Sequence, residues 1–227
     1  MKKTFAKIAA AIVVIAFIGV SCTEDDITNP TITLTGGATM TLDLGATYTD
    51  PGFTANDDKD GDLTSQVTVT GTVNTSQVGA YEITYTVSDE AGNSTTETRM
   101  VYVRANALAG SYSVHAVVTG AGAGTYDYTE VVTASGVDYN KIIISDFNYY
   151  PNLTVSATVT GSSISFNETK SYDWDGDGTA TSADITGTTL NAFEVVSATV
   201  SRIVTLSFTI NYGGGQVDQV VATYTKN

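Results

Sequence analysis

Beyond residue 22, apolar and β-branched side chains alternate with polar ones over most of the chain, and no i, i+3, i+4, i+7 apolar spacing is sustained. Thr is abundant and Tyr occurs 13 times, residue types whose shape suits a pleated, half-buried surface. The clearest case is Tyr81, Ile83, Tyr85 and Val87, which share one face of an extended segment, with Glu82, Thr84, Thr86 and Ser88 on the other. Asp89-Glu90-Ala91-Gly92-Asn93 follows, supplying Gly and Asn for positive φ, and residues 96–104 run back. The pattern predicts a hairpin with one buried side.

Past residue 110 the alternation predicts strands at 111–119, 125–133, 138–145, 153–160, 162–167, 193–201, 203–211 and 216–225. Gly120-Ala121-Gly122-Ala123-Gly124, Gly161-Ser162 and Gly213-Gly214-Gly215 punctuate them. Eight short strands at this spacing fit either an antiparallel meander barrel or a sandwich. The fold class is all-β.

The first 22 residues follow another logic. Lys2, Lys3 and Lys7 precede an apolar run at residues 8–20, 13 residues long, which is short for a bilayer span and sized for a signal-peptide core. Gly19-Val20-Ser21-Cys22 closes it. This resembles a bacterial lipoprotein signal of the Bacteroidetes type, with Gly19 where Leu is usual. The resemblance implies cleavage after Ser21 and acylation of Cys22; an ordinary secretory signal is the alternative. Thr23-Glu24-Asp25-Asp26 then resembles the acidic surface-export tag of outer-membrane lipoproteins, against a plain solvated tether.

Residues 30–104 carry an ordered series of motifs: Gly45-Ala46-Thr47-Tyr48-Thr49-Asp50-Pro51-Gly52-Phe53, Asp60-Gly61-Asp62-Leu63-Thr64, Gly79-Ala80-Tyr81 and Ser88-Asp89-Glu90-Ala91-Gly92-Asn93. That order resembles the bacterial Ig-like domain of pesticidal crystal proteins and surface lipoproteins. It implies a small β-sandwich acting as spacer or binding module, with no catalytic residues to transfer. More loosely, the remainder resembles the C-terminal domains of Bacteroidetes lipoproteins. The organisation expected is a signal at 1–21, an acidic tether at 22–30, an Ig-like sandwich at 31–104, a linker at 105–110 and an antiparallel β-domain at 111–227.

Charge narrows the partners. The formal charge is −14, and loss of Lys2, Lys3 and Lys7 takes the ten basic residues to seven against 24 acidic, a charge of −17. Such acidity argues against nucleic acid. One Cys and one His leave no internal disulfide, Cys-rich metal site or multi-His zinc site. The partners expected are the outer membrane through a lipid anchor, polysaccharide, and an outer-membrane transport complex.

Much of the acid is clustered. Residues 173–184, Asp-Trp-Asp-Gly-Asp-Gly-Thr-Ala-Thr-Ser-Ala-Asp, align with a 12-residue calcium loop. Asp173, Asp175 and Asp177 fall at positions 1, 3 and 5, Gly178 at the turn, Thr179 at 7, Thr181 at 9 and Asp184 at 12. Oxygens on alternate residues converge on one hard cation, so a structural Ca²⁺ is expected, with a flexible acidic loop as alternative. The loop resembles those of dockerins and EF-hands, but the following residues are not a helix start. Asp57-Asp58-Lys59-Asp60-Gly61-Asp62 reads first as an Asx-rich turn; a cation there would use Asp58, Asp60 and Asp62.

Trp174, Tyr149 and Tyr150 are the candidates for a sugar-stacking platform, with Tyr126, Tyr128 and Tyr139 nearby, although Tyr among β-branched residues also packs sheets. Catalysis has little to stand on. His115 sits mid-strand, and Gly-x-Ser-x-Gly, His-Glu-x-x-His and phosphate loops are absent. The function read from sequence is a non-catalytic, surface-exposed lipoprotein binding carbohydrate through its C-terminal domain, or alternatively a structural or adhesive protein that contacts another protein.

Overall fold

A computed structural model describes residues 25–197 and 200–227. The signal segment 1–21, the acylation candidate Cys22, Thr23 and Glu24 lie outside the described residues.

The first half contains β1 (Thr31–Leu34), β2 (Thr39–Asp43), β3 (Phe53–Asp57), β4 (Gly61–Asp62), β5 (Thr68–Thr70), β6 (Gly79–Ser88) and β7 (Ser94–Arg104). They form two sheets, ordered β1-β3-β4 and β2-β7-β6-β5. β6 and β7 are the hairpin foreseen in the alternation, paired from Gly79↔Val103 to Ser88↔Ser94. Ile83, Tyr85 and Val87 turn inward against Ile32, Ala55, Leu63 and Val101. Arg99 is wholly buried beside them. Its guanidinium donates to Asp50 Oδ1 at 2.5 Å and to the carbonyls of Thr35, Gly37 and Gly52, so one cation ties two loops to the sheet. Burial works to raise the Asp50 pKa, but hydrogen bonds from Tyr85 and Gly52 and the Arg99 charge outweigh it and hold the carboxyl below its usual range.

The second half is a closed barrel. Its strands are β8 (Gly110–Gly120), β9 (Gly124–Ala134), β10 (Lys141–Ser145), β11 (Thr154–Thr160), β12 (Ser163–Tyr172) and β13 (Thr181–Thr189). A separate two-stranded ribbon follows, β14 (Phe193–Ser197) with β15 (Val200–Ile203), and then β16 (Thr205–Gly213) and β17 (Gln216–Lys226). The barrel order is β10-β11-β12-β13-β16-β17-β8-β9. The structure thus chooses the barrel and corrects its membership. Of the wall strand expected at 193–201, residues 193–197 and 200–201 lie in the ribbon, and β13 takes the vacant place.

β13 escaped notice because its inward positions, Ala183, Ile185 and Gly187, are mostly small. The barrel requires that. A Cβ on Gly187 would meet Phe208 Cα and the Ser207 carbonyl oxygen at 2.7 Å. Phe147, Phe166 and Phe208 fill the interior there with centroids 4.7–5.5 Å apart. An eight-stranded barrel has room for side chains and little more. Along β8, Tyr112, Val114, Ala116 and Val118 point in while Ser111, Ser113, His115 and Val117 point out. That alternation is the reverse of a lipid-facing barrel. Among the described residues, no helix is long and apolar enough to cross a membrane.

A Gly-x-Tyr unit recurs where strands begin: Gly79/Tyr81, Gly110/Tyr112 and Gly124/Tyr126. Each tyrosine hydroxyl donates to the carbonyl four residues earlier, on Gln77, Leu108 and Gly122 respectively. In the first and third, the ring lies so near the glycine that a Cβ would come within 3.3 and 3.0 Å of it.

The two halves are joined by more than the chain. Val78 and Gly161 exchange both backbone hydrogen bonds at 2.9 Å, and Ala105 donates to the Tyr139 carbonyl at 2.8 Å. Tyr102 and Tyr139 pack with centroids 4.9 Å apart. Leu44, Val78, Val103 and Ala105 belong to the same buried cluster as the barrel interior. From this junction β6 runs through its own sheet from Gly79 to Ser88, and β8 through the barrel from Gly110 to Gly120. The loops at those two far ends form the remote pole of each unit.

Candidate functional site: an aromatic rim on the barrel

The barrel pole remote from the Ig-like unit collects loops 146–153, 173–180 and 213–215 and the turn after β8. The first is a tight crossing that the chain enters and leaves with Asp146, Asn148, Tyr149 and Asn152 at positive φ. Asp146 Oδ1 closes it by accepting the Asn152 amide at 2.7 Å. For Tyr149, φ of 72° is a conformation that a bulky L-residue adopts only under constraint. Its ring is nonetheless 59% exposed.

Around it the aromatic residues form one connected set. Tyr149 packs on Tyr126 at 5.5 Å and on Tyr150 at 6.0 Å. Tyr150 meets Trp174 edge-on at 4.9 Å, and Trp174 meets Tyr172 at 5.5 Å and Tyr212 at 5.4 Å. The indole N–H donates to the Thr181 carbonyl at 2.8 Å, which fixes the Trp174 ring across the base of its own hairpin.

Tyr150 and Trp174 form a ridge between two open clefts. One, of about 400 Å³, is lined by Tyr150, Trp174, Asp175, Tyr212, Gln216 and Asp218. The other, of about 350 Å³, is bounded by Tyr149, Pro151, Tyr172 and Asp173 on the far side of the same ridge. Asp218 is buried, with Oδ1 accepting the Gly122 amide at 2.7 Å and Oδ2 the Tyr212 hydroxyl at 2.9 Å. Burial, the Tyr150 hydroxyl and the Asp218 charge all raise the Tyr212 pKa, so this phenol remains a donor. The site offers stacking faces and fixed hydrogen-bond groups, and no nucleophile–base pair among the described residues.

Beside the ridge lies the acidic loop. The structure brings together Asp173, Asp175 and Asp177, whose oxygens lie within 4.8 Å of one another in a group able to hold a metal ion. The loop wraps on its own amides: Asp173 accepts from Gly176 and Gly178, Asp175 from Asp177, and Asp177 from Thr179.

Of the other positions expected to ligate, Asp184 lies outside that carboxylate group. The Thr181 carbonyl is taken by Trp174. Asp184 has been carried up β13, where it faces Thr169 and accepts its hydroxyl at 2.6 Å. Because β13 begins at Thr181, the second half of the loop is sheet and does not curl back. Thr179 contributes its amide to Asp177. Residues 57–62 form the Asx-type turn read first from the sequence, with Asp57 Oδ1 accepting the Lys59 and Asp60 amides, and the alternative cation set Asp58, Asp60 and Asp62 is not brought together. Only Asp60 joins a carboxylate cluster, with Asp26, Asp57 and Asp89, because Asp57 ends β3 facing inward while Asp58 and Asp62 face solvent.

Of the tyrosines noted from sequence, Tyr126 supports the rim. Tyr139 sits at the junction of the two halves against Tyr102. Tyr128 points at Asn148, with its pKa raised by burial. Tyr172 and Tyr212, which complete the ridge, carried one available signal: each ends a strand at a hairpin turn. His115 is exposed and paired with Asp127 on the barrel wall at 2.6 Å.

Residues 32–103 match the family described as bacterial surface protein, Ig-like domain. Comparison with curated proteins finds no match. Among solved structures, the lipoprotein BT2262 of Bacteroides thetaiotaomicron is similar at 21% identity over 86% of this chain and 99% of that one, with a TM-score of 0.34. A Clostridium perfringens ZmpB structure, comprising CBM51-2 in complex with GlcNAc and INT domains, is similar at 14% identity. That likeness covers 87% of this chain and 44% of the other, with a TM-score of 0.30. Likenesses this distant carry no inference about function.

Proposed function

We propose that this chain, which carries a bacterial surface protein Ig-like domain at residues 32–103, is a non-catalytic outer-membrane lipoprotein that binds polysaccharide at the rim of its barrel. Cys22 bears the acyl anchor, residues 23–30 form the tether, and the Ig-like unit is the spacer. The observation that carries the reading is the Tyr150–Trp174 ridge between two clefts, with the exposed Tyr149 ring beside it. Sugar rings present apolar C–H faces to aromatic surfaces and hydroxyls to carboxylates and amides. Tyr149, Tyr150 and Trp174 supply the former, and Asp175, Gln216 and Asp218 the latter. Strain at Tyr149 supports the same reading, since constrained backbone concentrates at ligand-binding positions.

We infer further that Asp173, Asp175 and Asp177 bind Ca²⁺, using all-oxygen ligands of the kind this ion prefers. The ion would stiffen the hairpin that presents Trp174. Tb³⁺ emission sensitised by Trp174 tests that step, and its absence would rule the loop site out.

The glycan reading is tested by arrays and by affinity electrophoresis in gels containing polysaccharide, using the chain from Thr23 onward. Retardation by at least one polysaccharide is expected, and its loss in Tyr149→Ala and in the Trp174→Ala, Tyr150→Ala pair. No retardation by any glycan, or retardation unchanged in those variants, would refute the platform.

A further inference from the structure

The pole of the Ig-like unit farthest from the barrel holds a gathering of carboxylates independent of the rim. Asp26, Asp57, Asp60 and Asp89 each bring an oxygen within 4.8 Å of those of the other three. They come from three stretches of chain: the tether, the β3–β4 turn and the β6–β7 turn. Each turn is built by one of these acids. Asp57 Oδ1 accepts the amides of Lys59 and Asp60 at 2.9 and 3.0 Å. Asp89 Oδ1 accepts those of Gly92 and Asn93 at 2.7 and 2.8 Å. Asp60 Oδ2 accepts the Glu90 amide at 2.8 Å and so links the turns.

In this cluster one buried oxygen is left without a partner. Asp57 is only 3% exposed, and its Oδ2 is buried with no hydrogen-bond partner. A carboxylate oxygen removed from water and given nothing to accept is unfavourable, and a cation is the partner that relieves it. Lys59 Nζ forms an ion pair with Asp26 Oδ1 at 3.9 Å, on the exposed side of the cluster.

We propose that Asp26, Asp57, Asp60 and Asp89 form a Ca²⁺ site, with Asp57 Oδ2 as its buried ligand, that fastens the tether to the Ig-like unit. The dimensions fit. Ligands at about 2.4 Å from one ion lie at most about 4.8 Å apart. Every donor is a carboxylate oxygen, which suits a hard cation and disfavours zinc. Turn carboxylates brought together by backbone hydrogen bonds suit the tolerant geometry of Ca²⁺ better than the strict octahedron of Mg²⁺. Asp26 is the ligand with a consequence. Its carbonyl already accepts Asn93 Nδ2 at 3.1 Å, and the Thr95 hydroxyl donates to the Pro30 carbonyl. A bound ion adds the side-chain anchor to these contacts and pins the segment that leads back to Cys22.

The test is calorimetric titration of CaCl₂ into the EDTA-treated chain from Thr23 onward, in a background of Asp175→Asn and Asp177→Asn that silences the rim loop. One Ca²⁺ per chain is expected there. Asp57→Asn should abolish it while keeping Oδ1 for the turn amides, and a circular-dichroism melt without calcium shows whether that variant is folded. Asp60→Asn provides a second ligand variant. Hydrogen exchange supplies the second readout. With free Ca²⁺ at ten times the measured Kd, exchange through opening at residues 25–30 should slow about 11-fold. Absence of binding in the loop-silenced chain, unchanged binding in folded Asp57→Asn, or exchange at 25–30 indifferent to calcium would each overturn the proposal. Glycan retention and Trp174-sensitised Tb³⁺ emission report on the other pole, so the two readings fail separately.

Discussion

Glu130 makes the barrel's stability depend on pH in a direction opposite to most carboxylates. Its side chain is fully buried, with Oε1 accepting the Asn148 amide at 2.8 Å and Oε2 the Tyr224 hydroxyl at 2.7 Å. Both partners are neutral, so burial dominates and pushes the carboxyl from an ordinary 4.5 up to about 7, with a smaller push from the Asp146 charge. The unfolded chain therefore releases this proton first. The contribution is fully present below pH 4.5, falls as pH rises, and is lost once the folded group ionises near 7.

Integrating between those two values gives about 2–3 kcal/mol less stability at pH 8 than at pH 5. For a chain of this size that is roughly 5–10 °C in Tm. Asp50 and Asp89 are held below the usual carboxylate range and titrate beneath this window. Thermal and urea melts at pH 5, 6, 7 and 8 on wild type and Glu130→Gln isolate the effect. Gln keeps an acceptor for the Asn148 amide but cannot ionise, and exposed His115 is common to both chains. The slope should be present in wild type and absent in the variant. Equal slopes in the two, or a flat wild-type profile, would refute the reasoning.

Three further outcomes are expected. Arg99→Met leaves Asp50 and three loop carbonyls without their donor and should cost about 3 kcal/mol or more in a urea melt, since it removes one partner of a buried pair. Gly187→Val should destabilise by about 1–3 kcal/mol, because its Cβ meets backbone atoms that cannot swing aside, whereas Gly92→Ala has open space around its Cβ and only an unfavourable φ to oppose it. Tyr149→Gly should leave the Tm unchanged or higher, offsetting lost ring packing with relief of strain worth about 1–3 kcal/mol, while glycan retention disappears.

Legibility in the sequence tracked how strongly burial imposed a pattern. Residues 79–104 were readable because one face of the hairpin is core and the other solvent, which fixes both period and register. β13 was not, because Ala183 and Gly187 are inward for lack of space and resemble loop residues. The ribbon β14–β15 looks like wall because its strands have ordinary β composition; what excludes it from the barrel is the closure of β13 on β16. The metal clusters were legible in part: Asp173, Asp175 and Asp177 do meet. Spacing within one segment also points to Asp184 and Asp58, but the second cluster is assembled across turns, and Asp26 and Asp89 lie far from Asp57 in the chain. The rim was half visible: Tyr149, Tyr150 and Trp174 do meet, while Tyr172 and Tyr212 join them only through the barrel's curvature. The repeated Gly-x-Tyr unit could have marked three strand starts in advance.

The pairing of β17 with β8 brings the last residues back to where the barrel starts. Asn227 donates its amide to the Ser111 carbonyl at 2.9 Å, and Lys226 reaches the carbonyls of Ala107 and Ser201. Asp26, whose carbonyl accepts Asn93 beside the β6–β7 turn, lies on the side of the Ig-like unit remote from the barrel, and Asn227 lies at the waist. A tag or fluorophore joined at Asn227 is therefore attached near the junction of the two units, on the barrel end away from the ridge, and leaves both clefts uncovered.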